Sequence, residues 1–271
     1  MRNRILNIIL LISALLTLLI FVGMLYSLIV GSLPAFKHFG FFNFILSPEW
    51  DSREGYEQYG ALFFLAGTIV VAILALLISL PFSLSLTLLC GEYYKESKIA
   101  KGICETMNIL ANLPSILLGI WGYFSLRPIL VSLGVDSQGM GIFTASLVLA
   151  IMIIPYTSSL CVAFMAKVSQ NTKEAAYSLG ATQIEVATKI TFPLIKKEVF
   201  FAHLLALGKV FGETMIVTIF MGATLTSTIF NQIGSAGDLK ISSVIALAFL
   251  LFMLTGIINW IAKQMLRRAN V

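Results

Sequence analysis

The chain has 271 residues, 58% of them hydrophobic and 11% charged, with a mean hydropathy of +0.95 and a net charge of +5. A soluble domain is roughly 45–50% apolar and about 25% charged, so a water-soluble globular protein is excluded and the chain reads as integral to a membrane. Its basic residues cluster at the ends of apolar segments, which follows the positive-inside rule and does not suggest nucleic acid as a partner.

Arg2 and Arg4 precede an apolar stretch, 5–30. It is longer than the ~7–15-residue core of a signal peptide, and no small-x-small cleavage site follows. It reads as a retained first span, and 1–60 as that span plus an outer loop. The loop, 31–60, carries Pro34, Pro48, Trp50 and the acids Glu49, Asp51, Glu54 and Glu57, with room for a short surface helix. Phe39, Phe41, Phe42 and Phe44 read as an aromatic belt at the lipid interface. Five further stretches, 62–89, 109–131, 142–166, 201–221 and 243–262, each approach the ~20 residues a helix needs to cross. The fold class is therefore all-α, a polytopic bundle of six spans, with 61–271 as its core. Placing the N-terminus inside puts 13 of the 18 Lys and Arg in inner segments and 3 in outer ones. Both termini are expected to be cytoplasmic.

Span two contains Pro81 among Ser79, Ser83, Ser85 and Thr87, hydroxyls that can satisfy a carbonyl freed by the proline. The segment 95–108 alternates in charge and reads as an inner surface helix. Gly119 and Gly122 in span three permit close helix approach, and Arg127 at its outer end is expected to snorkel outward. Pro155 interrupts span four.

The longest polar interruption of the C-terminal half is 169–200. Its charges (Lys173, Glu174, Glu185, Lys189, Lys196, Lys197 and Glu198) are incompatible with lipid. Ala175, Ala176 and Leu179, then Ile184, Ala187 and Ile190, recur at three and four residues on either side of Gly180. The pattern predicts two short amphipathic helices on the membrane face, with the Gly180 turn offered to a partner.

In span five, Lys209 and Glu213 are i and i+4, so they are predicted to share a helix face as an ion pair. Gly208 and Gly212 have small-xxx-small spacing. Charge in a membrane interior is costly unless paired or wet. Lys209, Glu213, Thr214 and Thr218 on one span thus point to a polar pathway, with a packing-only ion pair as the alternative. A Lys suits an anion better than a cation. The loop 221–242 is open between a periplasmic and a re-entrant helix.

No GxSxG, HExxH, CxxC, Rossmann or GxxxxGK[ST] pattern occurs. If ATP drives the protein, another chain hydrolyses it. Cys90, Cys104 and Cys161 lack paired spacing, and His38 and His203 lack partners at ligand spacing, so no disulfide framework and no metal site are expected.

The 169–200 loop resembles the EAA loop of ABC-importer membrane subunits: EAA, three residues, Gly, nine residues, Ile-x-Leu-Pro. Here it reads Glu174-Ala175-Ala176, Gly180, Ile190-Thr191-Phe192-Pro193, with Phe192 for the Leu. The 59–68 stretch, Gly91-Glu92-Tyr93, 110–115 and 119–124 are similar to phosphate importer permeases. The 206–215 stretch, ALGKVFGETM, is similar to the PstC-type pattern ALGRxxGETMAVT, with Lys209 where the pattern has Arg.

The resemblance implies a type I ABC-importer permease in the bacterial cytoplasmic (inner) membrane. It would form a heterodimer with a second, A-type permease, bind two ATP-binding subunits through Glu174, Ala175, Ala176, Gly180, Ile190 and Pro193, and meet a periplasmic or extracellular phosphate-binding protein near Trp50 and Asp238. Lys209 would face the substrate path, Glu213 would hold it in place, and Thr214 would line the path. No cofactor is expected in this chain; ATP and Mg belong to the ATPase. Arg offers phosphate a planar fork and Lys a compact charge, which leaves sulfate or molybdate as alternative substrates. The other classes are a secondary transporter, with inverted repeats and intramembrane acids, and a membrane scaffold. No convincing internal repeat is present.

Overall fold

The computed structural model describes residues 2–51, 53, 56–93, 97–135, 137–234 and 237–269. Glu54 of the first loop and Lys95 at the start of the charged 95–108 segment lie outside the described residues.

The first helix, α1 (Arg2–Phe39), has 38 residues, roughly 57 Å at 1.5 Å per residue, well beyond the ~30 Å hydrocarbon core. No residue of its most apolar window is buried by the rest of the chain. It lies along the last helix, α13 (Asp238–Ala269), with Phe21 and Phe252 ring centres 6.2 Å apart. Pro34 sits inside α1. One residue later a hydroxyl enters the helix ladder: Ser242 Oγ accepts from the Ala35 N–H at 2.8 Å and donates to the Gly31 carbonyl at 2.9 Å. Such an insertion keeps both backbone groups satisfied where the helix is perturbed.

A short helix α2 (Phe41–Leu46) and a two-stranded hairpin, β1 (Trp50–Asp51) against β2 (Gln58–Tyr59), follow. Phe44 is fully buried, Phe39 stacks edge-on against Tyr59 at 5.9 Å, and Trp50 meets Tyr59 at 4.9 Å and Phe64 at 5.3 Å. Phe39 and Phe44 therefore belong to a small aromatic core closing one end of the bundle, not to a lipid belt. Phe42 stays exposed.

The bundle centres on α3 (Leu62–Leu88), α7 (Ile142–Met165), α10 (Phe192–Phe211) and α13. Val71, Ala75, Leu149, Ile153, Leu207 and Phe211 share its main core. Helices in lipid gain little from hydrophobicity and rely on close packing and interhelical hydrogen bonds. Here Ser146 Oγ donates to the Val71 carbonyl at 3.2 Å, Ser158 Oγ to the Ser83 carbonyl at 3.2 Å, and Ser83 Oγ meets His203 Nε2 at 3.0 Å. Ser83, two residues after Pro81, thus ties α3 to α7 through its carbonyl and to α10 through its hydroxyl.

A π-helical turn, Leu89–Tyr93, extends α3. The amphipathic α4 (Lys98–Ala111) packs on α7, where Ser159 Oγ donates to Asn108 Oδ1 at 2.8 Å. Span three is shorter than the expected 109–131. It begins after the turn at Asn112–Pro114 and runs through α5 (Ser115–Trp121), a π-helical segment and α6 (Arg127–Ser132). The π register precedes Pro128, with the Arg127 N–H bonded five residues back to the Gly122 carbonyl. The Arg127 guanidinium packs over the Tyr123 ring at 4.7 Å and donates to the Gln138 carbonyl at 2.8 Å.

Among the described residues, five helical stretches are long and apolar enough to cross a membrane: Leu6–Phe39, Leu62–Glu92, Ser115–Ser132, Ile142–Met165 and Asp238–Met265. The expected sixth, 201–221, is not one helix. α10 ends at Phe211, residues 212–214 are non-helical, and α11 (Met215–Phe220) restarts. Gly212 weakens the helix, and the Glu213 N–H reaches only three residues back, to the Val210 carbonyl at 3.0 Å. The loop 221–242 contains α12 (Leu225–Gln232), whose capping box pairs Thr224 with Ser227.

Candidate coupling loop and translocation site

The loop after α7 folds as α8 (Gln170–Ser178), a turn at Gly180, and α9 (Gln183–Glu185). Gly180 has φ +87°, and a Cβ there would meet nothing within 4 Å. The glycine is needed for the backbone conformation and not for space. α8 buries only Lys173 and Ala176. Glu174 and Ala175 are exposed, and Leu179, which shares the apolar spacing of Ala175 and Ala176, is 90% exposed.

Thr182 and Glu185 form a reciprocal capping box at the start of α9: Thr182 N–H donates to Glu185 Oε2 at 3.1 Å and Glu185 N–H to Thr182 Oγ1 at 3.3 Å. Lys189, donating to Glu185 Oε1 at 2.9 Å, and then Thr182 hold the Glu185 carboxyl at about 2. The second predicted surface helix is not separate. α9, a π-helical segment Val186–Thr191 and α10 form one unbroken helical run, 183–211. Ile190 is half-buried in the π segment and Pro193 is exposed in the first turn of α10. The π register brings the Phe192 N–H to the Ala187 carbonyl just before a proline that has no N–H to offer.

At the other end of this run lie the path candidates. Lys209 and Glu213 do not form the expected ion pair, because the helix stops between them. Lys209 Nζ lies over the Tyr156 ring, 4.6 Å from its centroid, and 3.5 Å from the Ala111 carbonyl at the C-terminus of α4. A ring face and a helix C-terminus both favour a cation. Glu213 instead serves the break: its Oε1 accepts from the Met215 N–H at 3.1 Å, starting α11, and its carbonyl accepts from Thr226 Oγ1 at 2.8 Å. Thr214 accepts the Thr218 N–H at 2.9 Å through its carbonyl. Thr218 Oγ1 is buried without a hydrogen-bond partner. Of the two glycines, Gly208 approaches Asn259, while Gly212 is exposed with no side chain near it.

The break is anchored to α3. Thr68 Oγ1 accepts from the Leu225 N–H at 2.9 Å, and a Cβ on Gly67 would lie 2.0 Å from the Ala223 carbonyl oxygen.

Residues 83–271 match the family described as binding-protein-dependent transport system inner membrane component. The phosphate transport system permease protein PstC of Mesorhizobium japonicum is 32% identical over 95% of this chain and 88% of its own length. The PstC of Haemophilus influenzae is 32% identical over 94% of this chain and 91% of its own. The chain belongs to this family of inner membrane transport components, among its PstC-type members. The fold agrees. A bacterial alginate ABC transporter superposes with a TM-score of 0.68 at 18% identity, over 96% of this chain and 94% of that one. The inward-facing MetNI methionine ABC transporter gives 0.62 at 20% identity, over 78% of this chain and 94% of that one. The chain is therefore a permease component of the type I ABC importer fold and not an enzyme.

Two contributors were not visible in the sequence. Tyr156 follows Pro155 in span four, and no spacing links it to Lys209. The Ala111 carbonyl is backbone.

Proposed function

We propose that the chain is the PstC-type permease of an ATP-driven phosphate importer. It pairs with a second, homologous permease, two ATP-binding subunits and an extracytoplasmic phosphate-binding protein. On this reading both termini and the 169–200 loop are cytoplasmic, and the ATPase docks on Glu174, Ala175, Leu179 and the Gly180 turn, with Ala176, Ile190 and Pro193 shaping the support beneath. Lys209 faces the phosphate path, and Glu213 and Thr214 form the helix break beside it.

The observation that carries the reading is the state of Lys209. It stands against Tyr156 in the middle part of α7, and among the described residues it has no acidic partner within ion-pair distance. Its neighbours are a π face and one carbonyl, which solvate a cation without neutralising it. An interior positive charge held in that way supports an anion as cargo. A second reading, transport of sulfate or molybdate, draws on Lys209 standing where the resembling pattern has Arg, because the bidentate fork for phosphate is missing.

The test is ATP-dependent uptake of labelled phosphate into proteoliposomes containing this chain, its partner permease and the ATPase, with binding protein on the receptor side. Suppression by unlabelled phosphate alone is expected. Suppression by sulfate or molybdate moves the substrate to that oxyanion. Uptake driven by an ion gradient without ATP refutes the importer reading.

A further inference from the structure

Glu92 and Lys173 form an ion pair that no part of the transport reading above uses. Lys173 Nζ donates to Glu92 Oε2, and the two side chains are 4% and 7% exposed. Lys173 lies on α8, one residue before the EAA sequence. Glu92 lies in the π-helical turn that ends α3. Tyr177, also on α8, feels the same carboxylate: partial burial raises the pKa of its phenol, and the Glu92 charge adds to the rise.

Two charges this close and this dry hold each other strongly, and removing one strands the other. The turn beneath Glu92 is itself fixed, since a Cβ on Gly91 would meet Met165 Sδ at 2.5 Å. The second half of the loop grips α3 differently. Between Leu88 and Leu89 on one side and Ile184 and Ala187 on the other lies a shallow apolar crevice. The tight polar link from α8 to α3 is therefore the ion pair. From Glu92, α3 runs without interruption to Thr68 and Gly67, which hold the backbone of 223–225 beside the helix break.

We propose that Glu92 and Lys173 are positioning residues for energy coupling: the pair clamps the ATPase-docking helix to the second span, so that displacement of α8 is delivered along α3 to 223–225 at the opposite end of the bundle. The inference rests on the importer reading, because it assumes an ATPase that moves α8.

The test uses the assembled complex with both permeases, the ATPase and the binding protein. Single variants such as Glu92→Gln leave a buried Lys uncompensated and confound loss of the pair with loss of the fold. The double variant Glu92→Gln/Lys173→Met removes both charges at similar volume, and Glu92→Lys/Lys173→Glu restores the pair with reversed sign. We expect the neutral double variant to assemble and hydrolyse ATP while importing about tenfold less phosphate per ATP, the order that altered inter-site coupling gives. The reversed pair recovers most of the ratio. A cargo-independent readout is maleimide labelling of Asn231→Cys on α12, with and without ATP and vanadate. The ATP-driven change in labelling is expected in the otherwise unaltered complex and in the reversed pair, and lost in the neutral one. A purely structural pair would change the yield or Tm of the complex and leave both readouts intact. A neutral double variant with an unaltered import ratio and labelling response overturns the inference. Absence of phosphate uptake in the unaltered complex overturns the phosphate reading instead, and the labelling response still decides the role of the pair.

Discussion

Replacing Gly180 separates two demands that the turn places on one residue. Its φ of +87° lies in the left-handed region, where an ordinary L residue costs about 1–2 kcal/mol and Asn less. A Cβ there meets nothing within 4 Å, so the glycine is required by the backbone and not by crowding at Cβ. Gly180→Ala should therefore lower the Tm of the purified permease pair slightly, by an amount corresponding to about 1 kcal/mol, and still bind ATPase. Gly180→Asn should lie closer to the unaltered protein in both respects. Gly180→Trp adds the same backbone cost as Ala and leaves the turn from a Cβ in open space, so its Tm should lie close to that of Ala. Its bulk projects beside Leu179, into the surface proposed to receive the ATPase, and co-purification with the ATPase should be lost. The assays are thermal unfolding in detergent and affinity capture of the complex, run on the same preparations. Retention of ATPase and of coupled hydrolysis by the Trp variant refutes the docking assignment. A Tm for Ala equal to that of the unaltered chain refutes the strain argument.

Substitutions at three other positions test separate parts of the chain. Lys209→Gln should leave the complex assembled and remove most phosphate uptake, while Lys209→Arg should keep it, because the charge is retained and a fork is added; normal uptake by the Gln variant contradicts the path assignment. Gly67→Val should destabilise the permease by about 1–3 kcal/mol or more, as overpacking does, because its Cβ would sit 2.0 Å from the Ala223 carbonyl oxygen; a lowered Tm checks this. Thr182→Ala should open the start of α9 about fivefold more often, as loss of a cap does, read as reduced hydrogen-exchange protection at 183–186. The same protection reports on Glu185. Its pKa is lowered from 4.5 to about 2, so its contribution is complete above the ordinary carboxylate range and is lost as pH falls through about 2.

The family and the bundle were legible because lipid imposes simple rules. Long apolar runs had to be helices, and polar 169–200 had to lie outside the hydrocarbon. The Gly180 turn was legible because a glycine separated two helical periodicities. Spacing failed at 201–221. The run was apolar enough to read as one span, and Lys209 and Glu213 had ion-pair spacing, but periodicity carries no term for the Glu213 carboxylate capturing the Met215 N–H. Neither did it register that the π-helical segment before Pro193 would let the loop run straight into α10. Partners such as Tyr156 and the Ala111 carbonyl depend on tertiary packing and left no local trace. Phe39 and Phe44 were misplaced for a related reason: an aromatic cluster reads alike whether it meets lipid or the Trp50–Tyr59 hairpin.

The unbroken run 183–211 gives the contacts of Lys209 a mechanical meaning. The run is roughly 43 Å long at 1.5 Å per residue, with the proposed docking turn just before one end and Lys209 near the other. Tyr156 and Ala111 belong to α7 and α4, so movement of the run shifts Lys209 relative to both. Neither contact is strong. The carbonyl is at 3.5 Å, the limit of a hydrogen bond, and the ring at 4.6 Å contributes about 0.5–2 kcal/mol. A shift of about 2 Å would end both. On the proposed reading, the ammonium is thus parked on Tyr156 in this arrangement and released toward phosphate when the ATPase moves the loop. Tyr156→Phe keeps the π face and should transport like the unaltered chain. Tyr156→Leu removes it, leaves the cation poorly solvated in the bundle, and should lower ATP-dependent phosphate uptake about tenfold, as loss of 1.4 kcal/mol does. Equal uptake by the Phe and Leu variants would mean that the ring only fills space beside Lys209, and the parking mechanism would have to be abandoned.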